Sequence, residues 1–307
     1  MKNSPLTYAI IGSGALGGYY GARLQHAGAE VHFLCHSDSK HVSEYGWIVE
    51  STQHDDIKLP NVHAYSNVAE MPKCDVVIVG LKSTSNALLP ELLPPVVKDD
   101  GCVLTLQNGL GPEDDAAAVV GPERVLGGLC FLCSNKVGPG HIKQDRFDHI
   151  KLGEFARRGI SDRMEAIAID FQAGGVRVQL AEDLAAARWE KLVWNVPYNG
   201  LAAVLGVDCS VLMERVEPLV ADLMLEVVSA TKAVIRHTIP TSFVETMLNN
   251  TRNMTAYRPS MMIDREMGRP MEIEAIYGEP VRRAEAAGCA VPKMRMLYEQ
   301  LKVLDTQ

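Results

Sequence analysis

The first half of the chain alternates short β-rich runs with stretches of helical composition. The runs that predict strands are Tyr8–Ile11, Glu30–Cys35, Asp75–Gly80, Val103–Leu106 and Val125–Phe131. The third run is continuously apolar, which is typical of a parallel strand covered on both faces. Between the first two runs, Ala15–Ala27 predicts a helix that ends at Gly28. Strands that alternate with helices predict an α/β fold with a doubly wound parallel sheet.

The pattern changes after about residue 180, where long helical patterns replace the strands. The predicted helices are Ala181–Leu205, Glu217–His237, Thr241–Arg252, Met271–Ala287 and Lys293–Leu304. The pair Gly174-Gly175 and the strand Val176–Leu180 mark the junction. We therefore predict an α/β domain over residues 1–180 and an all-helical domain over residues 181–307, with a small-molecule site where the two meet.

Length and charge narrow the class of protein. A chain of 307 residues with 47% apolar residues suits two domains with a sizeable core. A net charge of -8 argues against nucleic acid or an anionic membrane as the main partner, because both require a basic surface. No apolar run approaches the roughly 18–20 residues that span a bilayer, and no secretory signal is recognisable. These features predict a cytoplasmic protein.

The chain has seven cysteines, and an odd number scattered through apolar segments indicates reduced, buried thiols. Cys130 and Cys133 form a C-x-x-C pair, which raises the alternatives of a metal or redox site. However, the run Val125–Cys133 predicts a strand, on which residues three apart point to opposite faces. No second C-x-x-C or matching His pair accompanies it. We predict a packing role for this pair and no metal.

A glycine-rich turn follows the first predicted strand and opens the first predicted helix. Its residues are Gly12, Ser13, Gly14, Ala15, Leu16 and Gly17, in the pattern G-x-G-x-x-G. In this context Gly12 permits a tight turn, Gly14 lets a diphosphate approach the backbone, and Gly17 lets the helix pack against the strand. The helix N-terminus presents free N–H groups to the anion. The alternative is a plain strand-to-helix turn, but the context favours a Rossmann-type dinucleotide site.

The end of the second strand bears on the choice of cofactor. NAD enzymes usually carry an Asp or Glu there, which binds the ribose 2′-OH, whereas this chain has Cys35 or His36. His36, Ser37 and Lys40 are suited to surround a 2′-phosphate. Asp38 is the opposing feature, unless it is only a turn or N-cap residue. The pattern favours NADP(H) over NAD(H).

A polar stripe on the first helix of the second half is the other chemical feature. Lys191, Asn195 and Asn199 recur every four residues and fall within an arc of about 80°, which also contains Arg188. Asparagine has poor helix propensity and is normally found in caps or loops, so its repetition inside a helix raises a functional role as one interpretation. The alternative is a surface lysine beside a satisfied core amide. Pro197 is expected to kink the helix before Asn199.

Five marks match one family in order and spacing. They are the turn at residues 12–17, Leu81-Lys82, Gln107-Asn108-Gly109-Leu110-Gly111, the stripe at Lys191, Asn195 and Asn199, and Pro259-Ser260-Met261-Met262-x-Asp264 with Glu272 beyond it. On these marks the chain resembles the ketopantoate reductase (2-dehydropantoate 2-reductase) family over nearly its whole length. One departure is His36, which stands where the family often carries an arginine for the 2′-phosphate. Histidine is a weaker and pH-dependent phosphate ligand.

The resemblance implies reduction of ketopantoate to pantoate with NADPH, on the route to pantothenate and coenzyme A. It implies that Lys191 is the general acid that protonates the carbonyl oxygen, and that Glu272 holds the substrate hydroxyl. The remaining implied roles are carboxylate and carbonyl binding by Ser260, Asn195 and Asn199, and positions beside the nicotinamide and its ribose for Asn108 and Lys82. A positioned ammonium suits this chemistry, because hydride addition to a 2-oxo acid builds negative charge on oxygen.

Each of these residues also has a purely structural interpretation. Asn108-Gly109 fits a turn pair, Glu272 fits a charge that complements a helix dipole, Ser260 fits an N-cap, and Lys82 fits a solvated lysine. Two other functions therefore stay open at this point. One is a reductase of a different branched 2-oxo acid or imine, and the other is a protein that senses NADPH without turnover. The helical domain offers a surface for a homodimer, although nothing in the sequence demands one.

Overall fold

The computed structural model describes residues 5–254 and 256–305. The chain divides into two compact units. The α/β unit comprises Met1–Gln107 and Pro112–Leu184, and the helical unit comprises Asn108–Gly111 and Ala185–Gln307. A four-residue segment from the first half of the chain therefore belongs with the helices of the second half.

The α/β unit is built on one mixed sheet. The strands found among the described residues are β1 (Thr7–Ile11), β2 (Glu30–Leu34), β3 (Trp47–Ser51), β4 (Ile57–Leu59), β5 (His63–Tyr65), β6 (Cys74–Val79), β7 (Val97–Thr105), β8 (Val125–Gly138), β9 (His141–Glu154) and β10 (Arg177–Ala181). Their order is β4-β3-β9-β8-β7-β6-β1-β2-β5, and β10 pairs with β9. The strands from β8 to β5 pair in parallel, whereas β8–β9 and β3–β4 are antiparallel. The strand order reverses at β1, where ligands of such sheets bind beyond the carboxyl ends.

Apolar side chains cover both faces of the central strands. Tyr8 and Ile10 of β1 join one buried cluster, whereas Ala9 and Ile11 join a second cluster together with Leu89. The helices of this unit are α1 (Ala15–His26), α2 (Ser39–Tyr45), α3 (Leu89–Leu92), α4 (Pro112–Val120) and α5 (Asp162–Ala173). Burial on both faces explains why these strands are continuously apolar in sequence. The predicted Rossmann-type α/β fold is confirmed.

The second unit contains helices and no strand among its described residues. Its elements are α6 (Leu184–Leu205), α7 (Cys209–Ile235), α8 (Thr241–Arg252), α9 (Ser260–Glu266), a π turn (Glu274–Gly278), α10 (Glu279–Ala286) and α11 (Pro292–Leu304). They share one apolar core, to which Trp189, Tyr198 and Tyr277 contribute the largest side chains. No helix among the described residues is long and apolar enough to cross a membrane.

The predicted helix Glu217–His237 overlaps the later part of α7, which also contains a helical segment before a kink. That segment begins at Cys209, where Asp208 Oδ1 accepts the N–H groups of Ser210 and Val211. The backbone is non-helical at Val216, directly before the predicted start, and Pro218 follows. Pro197 lies inside α6, which continues through it to Leu205, the predicted end of this helix. Pro197 is buried, so packing offsets the hydrogen bond that its ring removes.

Candidate functional site

The glycine turn needs its three glycines for three different reasons. Gly12 has a φ of +94°, and a Cβ there would lie 2.5 Å from the Leu81 nitrogen. A Cβ on Gly17 would lie 2.2 Å from the Gly12 carbonyl oxygen, so helix and turn touch backbone to backbone. Gly14 has no atom within 4 Å of its Cβ position. The first and third glycines therefore serve the fold, and the second borders open space.

The start of α1 presents its N–H groups to this open space. No side chain caps the helix at Gly14, so the first N–H groups keep no cap acceptor. The Ser13 hydroxyl donates instead to the Leu34 carbonyl oxygen (2.9 Å) and to Cys35 Sγ (3.3 Å). Burial raises the pKa of the Cys35 thiol, which keeps it protonated at neutral pH. Ser13 thus ties the turn to the end of β2, and Gly12–Gly17 fit the diphosphate of a dinucleotide.

The loop after β2 contains exposed polar side chains and one buried acid. His36 and Ser37 are exposed, whereas Asp38 is 6% exposed. Asp38 Oδ2 lies 2.5 Å from Lys136 Nζ and accepts the Gly140 N–H at 3.2 Å. Asp38 lies in a turn at the N-cap position of α2, as its structural interpretation expects, although its side chain forms no cap hydrogen bond. Lys82 precedes a 3₁₀ turn (Ser83–Leu88) and is half-buried.

In the helical unit, three distant segments bring together a lysine, an amide and a carboxylate. Lys191 Nζ on α6 donates to Asn108 Oδ1 at 2.9 Å. Asn108 Nδ2 in turn lies 3.5 Å from Glu272 Oε2, just before the π turn. The amide therefore bridges an ammonium and a carboxylate that sequence places 81 residues apart (272 − 191). All three side chains are half-buried, so a ligand can reach them.

The two asparagines of the stripe have different surroundings. Asn199 Oδ1 accepts the Met261 N–H (3.3 Å) and the Ser260 hydroxyl (3.4 Å). It caps α9 from outside, because Pro259 offers no side-chain cap. Asn195 is only 6% exposed, and its amide forms no hydrogen bond within residues 5–254 and 256–305. The alternative that a stripe asparagine is only a hydrogen-bonded core amide therefore describes the Asn199 oxygen but not Asn195.

The π turn holds the Asn108 turn in place. Gly109 has a φ of +84°, and a Cβ there would lie 2.2 Å from the Ala275 carbonyl oxygen. That same oxygen accepts the Leu110 N–H at 2.8 Å. A π turn leaves backbone carbonyl groups without the usual helical partner, and such turns often occur at functional sites. Sequence reasoning missed Ala275, since its contribution is a backbone oxygen.

Tyr277 fastens the π turn to the middle of α6. Its hydroxyl donates to the Val196 carbonyl oxygen at 2.7 Å, and burial raises its pKa well above the usual value. A Cβ on Gly200 would lie 2.5 Å from this hydroxyl oxygen. In the sequence, this close contact could have been inferred from the presence of a glycine directly after Asn199. Tyr277 and Gly200 together set the distance between the π turn and Asn195.

In comparisons with known proteins, both units match the same protein family. Residues 8–157 match the family model "Ketopantoate reductase PanE/ApbA", and residues 183–305 match its C-terminal counterpart. A 2-dehydropantoate 2-reductase of Nostoc sp. is 52% identical over 97% of this chain and 95% of its own length. The chain belongs to the ketopantoate reductase family. The predicted family and the oxidoreductase class of the 2-dehydropantoate 2-reductase type are thereby confirmed.

Solved structures of ketopantoate reductases extend the likeness to the fold. The 2-dehydropantoate 2-reductase of Geobacter metallireducens GS-15 is 42% identical with a TM-score of 0.94, covering 97% of this chain and 99% of that one. The enzyme of Methylococcus capsulatus is 30% identical with a TM-score of 0.90, covering 97% and 96%. Neither unit of this ketopantoate reductase family member therefore departs far from its relatives' fold.

The C-x-x-C pair of this family member lies on β8, as predicted, and neither Cys130 nor Cys133 forms a disulfide. The pairing of β8 with β9 shifts between Phe131 and Cys133. That shift interrupts the regular alternation on which the prediction of opposite faces depended. Burial raises the pKa of the Cys133 thiol, which disfavours the reactive thiolate. No group of three or more His, Cys, Asp and Glu side chains among the described residues is arranged to hold a metal.

Replacement of Gly109 by alanine is expected to impair both folding and turnover. Its Cβ would meet the Ala275 carbonyl oxygen at 2.2 Å, so the turn that carries Asn108 has to move. Gly206→Ala is the matched control, because Gly206 has a φ of +68° but no atom within 4 Å of a Cβ. We expect the control to lose roughly 1 kcal/mol of its free energy of unfolding, and Gly109→Ala to lose more. Urea unfolding measures both values. Equal losses would show that the contact with Ala275 is unimportant.

Proposed function

We propose that this protein reduces 2-dehydropantoate to pantoate with NADPH, in pantothenate and coenzyme A biosynthesis, and that Lys191 supplies the proton. The observation that carries this proposal is the hydrogen-bonded series Lys191–Asn108–Glu272. It unites a proton donor, an amide and a carboxylate acceptor on one half-buried surface of the helical unit. A protein that only senses the cofactor needs no such series.

The residues Gly12, Ser13, Gly14, Ala15, Leu16 and Gly17 are the ones that hold the dinucleotide. The nicotinamide, when bound, supplies the hydride. The open space at Gly14 and the uncapped N-terminus of α1 support this assignment. We assign His36 and Lys82 to the adenosine end and to the nicotinamide ribose, respectively, as the family resemblance implies.

Lys191 acts on the substrate's carbonyl oxygen. As negative charge develops on that oxygen, the ammonium stabilises it and then transfers a proton, which yields the hydroxyl of the product. Asn108 Oδ1 accepts one N–H of Lys191 at 2.9 Å and so restricts where the other two protons point. Asn108 is therefore a positioning residue as well as a substrate contact.

The remaining polar groups fit the two ends of the substrate. Asn195 has an amide with no protein partner in the described part of the chain, which suits a carboxylate or carbonyl oxygen. The Asn199 oxygen is occupied by α9, so this residue offers its Nδ2 donor, and the exposed Ser260 hydroxyl lies beside it. The Glu272 carboxylate accepts a hydrogen bond from the substrate's hydroxyl group.

The proposal also includes a preference for NADPH over NADH. The Asp38 carboxylate already pairs with Lys136, so it is not available for the ribose hydroxyls of NAD(H), and this favours NADPH.

We also propose a cytoplasmic location and a homodimer. Gel filtration with light scattering tests the oligomeric state.

The test of the proposed function is oxidation of NADPH, followed by absorbance, with 2-dehydropantoate and a panel of other branched 2-oxo acids. We expect the highest kcat/KM for 2-dehydropantoate. Preferred turnover of another 2-oxo acid would replace the substrate assignment. Binding of NADPH with no turnover of any member would indicate a sensor.

The role of Glu272 is tested with a substrate that lacks the hydroxyl. Trimethylpyruvate has the carbon skeleton of 2-dehydropantoate without that group. We expect Glu272→Ala to lower kcat/KM for 2-dehydropantoate by about 10- to 100-fold, and to change it little for trimethylpyruvate, because only the former loses a charge-assisted hydrogen bond. Glu274→Ala is the control, since Glu274 is engaged by Arg282 and Tyr298. Equal losses for both substrates would contradict this role.

A further inference from the structure

We propose that Lys136 sets the cofactor preference of this protein by neutralising Asp38, a role that rests on the proposed function. Asp38 is the acid nearest the end of β2, four residues beyond Leu34. An acid in this region usually binds the ribose hydroxyls of NAD(H) and repels the 2′-phosphate of NADP(H). The chain therefore carries an NAD-type acid whose charge is cancelled from another strand.

The carboxylate is directed into the protein. Asp38 Oδ2 lies 2.5 Å from Lys136 Nζ of β8 and accepts the Gly140 N–H at 3.2 Å. The Asp38 side chain is 5% exposed, whereas that of Lys136 is 28% exposed. Both partners of this oxygen come from the β8–β9 hairpin, so residues about 100 positions later in the chain decide where the acid points.

Lys136 is itself held in place. Its ammonium lies 5.8 Å from the centre of the Trp47 ring, and Trp47 is fully buried. A cation over an aromatic face is attracted by the ring's quadrupole. The lysine thus has two attractive partners, Asp38 and Trp47, and keeps a fixed position next to the loop after β2.

The surface beside this ion pair has room for a phosphorylated ribose. A cavity of about 520 Å³ begins at Ser39, the residue after Asp38. Its polar lining includes Ser39, Lys40, Ser43 and Ser66, together with Glu44 and Glu70. Hydroxyls and one ammonium suit a phosphate, and two carboxylates oppose it. Because the carboxylates of this lining already outnumber its ammonium, a further unpaired carboxylate at Asp38 would disfavour a dianion more strongly.

The experiment measures dissociation constants of NADPH and NADH by fluorescence titration, which needs no turnover, and kcat/KM for each cofactor. The proteins are the wild type, Lys136→Met, Asp38→Asn and the double variant. We expect Lys136→Met to weaken NADPH about tenfold, with NADH nearly unchanged, because an uncompensated charge acts on the 2′-phosphate alone. Asp38→Asn should bind NADPH at least as tightly as the wild type.

The double variant decides between mechanisms. If Lys136 acts through Asp38, removing both charges restores the wild-type ratio of NADPH to NADH affinity. If the double variant binds NADPH as weakly as Lys136→Met does, Lys136 contacts the phosphate directly and the inference is wrong. Equal weakening of both cofactors in Lys136→Met would reduce the pair to a structural role and also overturn it.

A second lysine–aspartate pair supplies the matched control. Lys98 Nζ lies 2.8 Å from Asp75 Oδ2 in the same unit, and Lys98→Met should leave the cofactor ratio unchanged. A ratio that shifts as much in Lys98→Met as in Lys136→Met would overturn the inference. If the expected ratios appear but 2-dehydropantoate is not reduced, the proposed function fails and the assignment of Lys136 stands.

Discussion

Lys191→Ala is expected to lower kcat for 2-dehydropantoate by about 10²- to 10⁴-fold, the usual contribution of a positioned general acid. The variant loses the ammonium that protonates the developing alkoxide, and water replaces it with no fixed geometry. Dissociation of NADPH should not change, because the glycine turn is intact. Stopped-flow or steady-state oxidation of NADPH measures the first quantity, and fluorescence titration measures the second.

Lys232→Ala is the control for this variant. Lys232 lies exposed on α7 of the same unit, so its removal tests the loss of one positive charge without loss of the acid. We expect full activity in the control. Unchanged kcat in Lys191→Ala would remove Lys191 from the mechanism. A loss of kcat in both variants would mean that turnover depends on the net charge of the helical unit and not on Lys191 in particular.

Gly14→Val is expected to weaken the binding of NADPH by roughly 10- to 100-fold, which corresponds to the loss of about one charge-assisted hydrogen bond. No protein atom lies within 4 Å of the Gly14 Cβ position, so the new side chain projects into the space assigned to the diphosphate. The residue has a φ of -76°, which lies outside the left-handed region that favours glycine. Stability should therefore change by less than about 1 kcal/mol.

Gly17→Ala provides the contrast. Its Cβ would lie 2.2 Å from the Gly12 carbonyl oxygen, so this variant should lose stability. Thermal unfolding and NADPH titration on both variants separate the two effects. Gly14→Val with normal affinity would mean that the diphosphate binds elsewhere. Gly14→Val with strongly reduced stability would mean that the space at Gly14 serves the fold.

Much of the fold follows from local pattern in this chain. The continuous apolar run before Gly80 predicted β6, and the helix pattern Thr241–Arg252 matches α8 residue for residue. The predicted helix Ala181–Leu205 also ends where α6 ends, although α6 begins at Leu184. The apolar pattern did not include the segment of α7 before the kink at Val216. That segment begins at Cys209, where the Asp208 side chain caps it.

The candidate site, too, could be predicted from the sequence only in part. Spacing placed Lys191, Asn195 and Asn199 on one face of a helix, and the family resemblance implied proton transfer by Lys191 and carboxylate or carbonyl binding by the asparagines. Their partners came from elsewhere in the chain. The Asn108 turn joins the helical unit only because Leu110 donates to the Ala275 carbonyl oxygen. A backbone oxygen leaves no residue-type signal.

The sequence by itself determined the glycine turn, the strand–helix alternation and the polar stripe, because each depends on residues close together in the chain. Only the tertiary structure decided that Asn108 bridges Lys191 and Glu272, and that Asp38 faces Lys136 instead of the loop surface. These contacts join residues that lie between 83 and 164 positions apart. Their formation depends on how sheet and helices pack, which no local pattern encodes.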